Sequence, residues 1–114
     1  MAIAADLIRG HTEMIILARL VGQDSYGYEI NKAIKSISGG RYELKEATLY
    51  TVFRRLEDAG LITSYWGGET TGARRRYYSI TPRGLEAYRQ QLGVWRETRD
   101  IIDSLTKAEE EENA

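Results

Sequence analysis

The stretch EATLYTVFRRLEDAGLI, Glu46 to Ile62, decides how the chain is read. Leu49, Val52, Phe53 and Leu56 recur at steps of three and four, the spacing of a helix that buries one stripe. Gly60 ends that helix, and Leu61 and Ile62 return to the core. Thr48, Thr51, Arg54 and Arg55 are left on or near the outer side, with Lys45 at its start. An ordinary solvent-facing helix would be served as well by Glu and Lys. Two adjacent arginines and two threonines therefore need a reason.

The flanking segments supply one. Upstream, Ala4 to Val21 reads as a helix whose apolar residues, Leu7, Ile8, Ile15, Ile16, Leu17, Leu20 and Val21, span an arc too broad for one buried face. The turn-forming VGQDSYG breaks the pattern. Ile30, Ala33, Ile34 and Ile37 then fall at helical spacing, closed by Gly39 and Gly40. Downstream, Ile62 to Trp66 and Arg74 to Ile80 flank a Gly/Thr-rich loop and read as a β-hairpin. Thr81 and Pro82 form an N-cap and first-turn pair, opening a long helix to about Lys107. The fold class is mainly α with a small β-hairpin, a winged helix-turn-helix plus a long C-terminal dimerisation helix. Residues 1–81 are expected to form the winged helix-turn-helix domain, including the N-terminal helix, 82–107 a long C-terminal helix and 108–114 a disordered acidic tail.

Composition excludes several classes. The 114 residues suit one domain, and 42% hydrophobic with 29% charged residues is a globular balance. No cysteine and a single histidine, His11, leave neither disulfides nor a thiolate or multi-histidine metal site. A lone histidine of this kind reads as structural. There is no nucleophile motif and no phosphate loop, and carboxylates such as Glu43 and Glu46 sit among ordinary surface charges. An enzyme is not expected, nor is a cofactor. No apolar run reaches the ~18 residues of a membrane span, and the N-terminus lacks a signal pattern, so the expected location is cytoplasmic.

The net charge of −1 hides a local asymmetry. Glu109 to Glu112 contribute −4, whereas Gly72 to Arg89 holds five arginines against Glu86, a balance of +4. A polyanion senses the local value, because exposed charges are screened beyond ~8 Å at physiological salt. In a helix-turn-helix the second helix enters the major groove of double-stranded DNA, where arginine can pair with guanine edges or phosphate. Alternation sends Arg74 and Arg76 to one face of the hairpin and Arg75 to the other, within reach of phosphate or the minor groove. The competing reading of the helix is a solvated face with Arg55 paired to Glu57 or Asp58. Basic hairpin residues can also serve only to deter strand pairing. Tyr50 either directs its hydroxyl at a phosphate or belongs to the core.

The C-terminal helix carries Leu85, Tyr88, Leu92, Trp95 and Ile102 at alternating steps of three and four, with Arg99 at the missing position and Ile101 and Leu105 widening the stripe near its end. A winged core is filled by its own helices, so this stripe is expected to be exposed in a monomer and covered in a homodimer. A dimer sets two recognition helices on half-sites ~34 Å apart, which matches a two-fold symmetric operator.

EATLYTVFRRLEDAGLITSYW followed by GARRRYYSITPRGLEAY closely resembles the PadR-type transcriptional repressors. The chain is most similar to their short branch with a single C-terminal helix, typified by a lactococcal multidrug-binding regulator, from about Leu7 to Leu105. The resemblance implies a repressor role and a ligand. In that branch planar aromatic drugs stack between two symmetry-related tryptophans in a pore at the dimer interface, and Trp95 falls on that tryptophan. Leu7, Gly10, Met14 and Ile102 match pore-lining positions. Arg99 replaces an aspartate, and Glu13 and Gln91 replace smaller or neutral residues, which points to an anionic or neutral aromatic small molecule. Trp95 could instead simply fill the dimer seam. The functional alternative is a winged-helix module that binds protein rather than DNA.

Overall fold

The computed structural model describes residues 2–67 and 74–113, with side chains over 5–67 and 74–107. Five helices and three short strands follow one another: α1 Ala2–Arg9, α2 Thr12–Leu20, β1 Ser25–Tyr26, α3 Gly27–Ile37, α4 Glu46–Asp58, β2 Ile62–Gly67, β3 Arg75–Ile80 and α5 Pro82–Asn113. The core is built by Ile16, Leu17 and Leu20 of α2, Ile30 and Ile34 of α3, and the stripe Leu49, Val52, Phe53 and Leu56 of α4. Ile62 and Tyr78 close it from the sheet, where the Tyr78 ring stacks on Phe53 with centroids 3.9 Å apart. The periodicity that singled out α4 thus selects the residues that anchor it.

Two departures occur near the N-terminus. The single helix expected over Ala4–Val21 is two, broken at Gly10 and His11. Glycine is a poor helix former, and the Thr12 hydroxyl donates to the Arg9 carbonyl at 2.7 Å, offering that carbonyl a partner outside the helical ladder. The segment read as a plain turn contains β1. Ser25 and Tyr26 pair antiparallel with Tyr78 and Tyr77, so the hairpin becomes a three-stranded sheet of order β1-β3-β2. Ile37, expected to face inward, is exposed in the last turn of α3.

The β2–β3 register sets Ile62 opposite Ile80 and Gly67 opposite Arg75. Its Gly/Thr-rich loop, 68–73, lies outside the described residues. Thr81 caps α5 as the sequence implies: the Gly84 amide donates to its Oγ1 at 2.9 Å, and its amide donates to Leu61 O at 3.1 Å. The helix continues to Asn113 rather than ending near Lys107. Alanine and glutamate in the final segment favour helix, which accounts for the extra turns where a disordered tail is expected.

The approach to α4 is fixed by one side chain. Asn31 donates from Nδ2 to Leu44 O at 2.7 Å and accepts from Leu44 N at 2.9 Å, just before Lys45 at the N-cap of α4. Asn31→Ala leaves both main-chain groups of the buried Leu44 without that partner, an expected loss of about 2 kcal/mol. Asn31→Asp retains the acceptor but presents a second acceptor to the Leu44 carbonyl, so it should lose stability as well. Urea unfolding of both variants checks the bracket. Wild-type midpoints in both would show that solvent serves Leu44 equally.

Candidate nucleic-acid interface and adjoining cavity

Burying one stripe of α4 turns the opposite face outward, and Lys45, Thr48, Thr51, Arg54 and Arg55 are all exposed. Lys45 sits at the N-cap with extended backbone and gives no side-chain cap. The Thr51 hydroxyl donates back to the Ala47 carbonyl at 2.8 Å, one turn earlier in α4. Arg54 makes no salt bridge among the described residues. Tyr50 is 41% exposed, its ring edge-on to Phe53, and its hydroxyl lies over Gly27 at the start of α3. A Cβ on Gly27 would come within 2.7 Å of that oxygen. Tyr50 therefore seals the α3–α4 junction with its ring while presenting its hydroxyl at the edge.

Arg55 departs from the local pairing considered for it. Its Nε donates to Oε2 of Glu13, on α2, at 2.6 Å. Glu57 is committed elsewhere: Ser64 of β2 donates to it at 2.7 Å, and Arg76 lies 3.9 Å away. Those two interactions connect the hairpin to α4.

The hairpin distributes its arginines by the alternation rule. Arg74 and Arg76 lie over the Trp66 ring, at 5.4 and 5.6 Å, while Arg75 lies over Tyr26 at 4.8 Å. Such stacking orients a guanidinium while leaving its N–H groups available for an anion. Trp66 is 54% exposed and escaped the sequence reading, since a tryptophan in a strand reads as ordinary β propensity. On the Arg75 side Tyr65 donates to Asp24 at 2.5 Å, and that bond to a carboxylate holds its phenol above the ordinary 10.0. The Tyr78 phenol is also raised, chiefly by burial, with Arg76 pulling it the other way.

Behind α4 lies an open cavity of about 640 Å³ between the α1–α2 break, α5 and Arg55. Gly10, Met14 and Trp95, three of the residues proposed to hold a ligand, meet there, joined by Glu13 and Gln91. Leu7, Arg99 and Ile102 do not line it: Leu7 and Ile102 face solvent, and Arg99 lies 3.8 Å from its neighbour Asp100. His11, read as structural, packs its ring against Trp95 with centroids 5.2 Å apart. Its position at the helix break made it a cavity residue, and no periodicity foretold that break. Among the described residues no group of three or more His, Cys, Asp or Glu is arranged to hold a metal. No helix among them is long and apolar enough to cross a membrane.

The α5 stripe is divided between two fates. Leu85, Tyr88 and Leu92 are half-buried, and Tyr88 packs against the core of its own chain. The expectation that the whole stripe stands free in a monomer is corrected accordingly, because α5 lies against α2 and β3 over its first turns. Val94, Ile101, Ile102 and Leu105 remain exposed, with Trp95 at 37% between the two regions.

The model of the transcriptional regulator PadR-like family matches residues 16–90. The chain is 41% identical to an uncharacterized protein of Lysinibacillus sphaericus, over 89% of this chain and 93% of that one. A solved transcriptional regulator from Clostridium thermocellum is 47% identical, with a TM-score of 0.79 over 87% of this chain and 93% of its own. Bacillus subtilis PadR, solved in complex with operator DNA, is 25% identical with a TM-score of 0.64, over 71% of this chain and 46% of that one.

Proposed function

This chain belongs to the PadR-like family of transcriptional regulators, and on that footing we propose that it is a homodimeric repressor of double-stranded operator DNA. It is a regulator and not an enzyme. Residues 1–81 meet DNA, with α4 in the major groove and the wing on the backbone, while the free end of α5 pairs with a second copy. The observation that carries this reading is the joint outward placement of Thr48, Thr51 and Arg54 on α4 and of Arg74 to Arg76 beside it. These are the groups that hydrogen-bond phosphate and base edges, set on elements that a groove and a backbone can accept. The same reading covers Val94, Ile101, Ile102 and Leu105, whose exposure a symmetric partner removes.

A planar aromatic compound, anionic or neutral, is the proposed effector, stacked on Trp95 in the cavity behind α4. Arg99, which first suggested that charge class, stands outside the cavity; the lining cations are Arg9 and Arg55, which pair with Asp6 and with the lining carboxylate Glu13, so an anion there would have to take Arg55 from Glu13. A two-fold partner would bring a second indole, as in the multidrug-binding branch that the chain resembles.

The test is fluorescence anisotropy with labelled duplex from upstream of the chain's own gene against random duplex, across a salt series. Tighter binding to the upstream duplex, weakening steeply with salt, is expected. Equal and feeble binding to both would favour the protein-binding module. Neutralising Arg54, Arg55 and Arg74 to Arg76 would then leave capture of that partner unchanged. Quenching of Trp95 by anionic but not cationic aromatic dyes is expected, and the reverse order would discard the effector class.

A further inference from the structure

Arg55 occupies an unusual junction. It lines the cavity that contains Trp95, and it also lines the outer groove beside Thr48 and Thr51 on α4. Among the described residues its ion pair is with Glu13, a cavity residue on α2, 42 positions away in sequence. The pair is half exposed, with side chains 57% and 34% accessible. Pairs in that setting contribute little, so little free energy holds Arg55 to Glu13 against another anion. A duplex, with one negative charge per ~1.7 Å of axis, offers Arg55 a denser anion than one carboxylate does.

We propose that Glu13 and Arg55 form a charge relay between the cavity and the DNA-facing helix. Resting on the DNA-binding reading above, it holds that Glu13 retains Arg55 in the free protein and gives it up to phosphate in the complex. The charge of whatever fills the cavity then sets the sign of its effect. An anion competes with DNA for Arg55 and weakens binding, whereas a cation or donor that occupies Glu13 releases Arg55 and strengthens it. This requires no rigid-body movement, only a change of partner by one guanidinium. Unequal affinity of the occupant for the two arrangements is what couples it to DNA.

A double-mutant cycle on the full chain tests the DNA side, with duplex affinity as the readout. Glu13→Gln should tighten binding about two- to fivefold, the fold-change matching a half-exposed pair. Arg55→Gln should weaken it about tenfold and lower the salt slope by about one. In the Arg55→Gln background, Glu13→Gln should have no further effect. An equal gain in both backgrounds would mean that Glu13 merely repels the duplex at a distance, and the relay would be abandoned.

The cavity side is read from Trp95 itself in a Trp66→Phe background, where it is the sole tryptophan. Saturating duplex should raise acrylamide access to Trp95 as Arg55 leaves the cavity wall. With Arg55→Gln added, that rise should vanish. A rise of the same size in both, or none in either, overturns the proposal. A wild-type chain that binds no duplex would overturn the DNA reading and the relay together, whereas binding with an additive cycle removes the relay alone.

Discussion

Replacing Gly84 with alanine should cost this chain about 3 kcal/mol or more, although the position lies inside a helix where alanine is normally the better residue. A Cβ there would stand 2.0 Å from the Leu61 carbonyl oxygen and 2.9 Å from Cγ1 of Ile80. The carbonyl cannot retreat cheaply. It accepts from the Thr81 amide at 3.1 Å and lies 3.1 Å from the Thr81 hydroxyl, so moving it dismantles the cap of α5. Gly84 is thus where the first turn of α5 crosses the main chain entering β2. Thermal unfolding should show a midpoint lower by about 12 °C or more. The same substitution at Gly93, nine positions further along α5, meets nothing within 4 Å. Gly93→Ala should stabilise a monomer by about 0.5–1 kcal/mol through helix propensity. A loss at Gly93 instead would indicate that another backbone approaches there, as a close-packed dimer seam requires. A wild-type midpoint for Gly84→Ala would mean that α5 can tilt away from Leu61 at little cost.

How far the sequence reaches follows from the range of each interaction. The α4 stripe was legible because Leu49, Val52, Phe53 and Leu56 repeat over several turns, and the split of Arg74 and Arg76 from Arg75 needs only the two-residue pleat. Thr81 and Pro82 announce a helix start by local chemistry alone. What stayed hidden is either too short or too distant. Two residues, Ser25 and Tyr26, cannot display a period, and they become a strand only because Tyr77 and Tyr78 are there to pair with them. The break at Gly10 depends on a competing bond from Thr12, and the apolar residues to either side give no sign of it. Glu13 and Arg55 are joined by packing of α2 against α4, so no local rule selects Glu13 over the nearer Glu57 or Asp58. The stripe on α5 has one pattern, broken only at Arg99, yet its first half packs against the chain's own core and its second half does not. Spacing defines a face but not the surface that will cover it.

The wing arginines should show how the work of binding is divided. Changing Arg74, Arg75 and Arg76 together to glutamine should weaken duplex affinity at least a hundredfold near 150 mM salt, at about tenfold for each charge-assisted hydrogen bond removed. The slope of log affinity against log salt should become shallower by about 0.9 for each arginine that had met a phosphate. Because phosphate contacts carry no base information, upstream and random duplex should lose affinity in the same proportion. Arg54→Gln should behave differently. If its guanidinium meets a base edge from α4, its loss reduces the preference for upstream duplex more than the salt slope. The two faces of the wing separate the contributions further. Arg74 and Arg76 share the Trp66 ring, so removing one leaves the other's stacking platform intact, whereas Arg75 stands alone over Tyr26. Arg76 also lies near Glu57, which ties β3 to α4, so its single variant should lower the unfolding midpoint slightly while those of Arg74 and Arg75 do not. A triple variant that kept both its affinity and its salt slope would place the phosphates elsewhere. The cluster over Trp66 would then be a solvated edge, and α4 would have to supply the affinity for DNA without the wing.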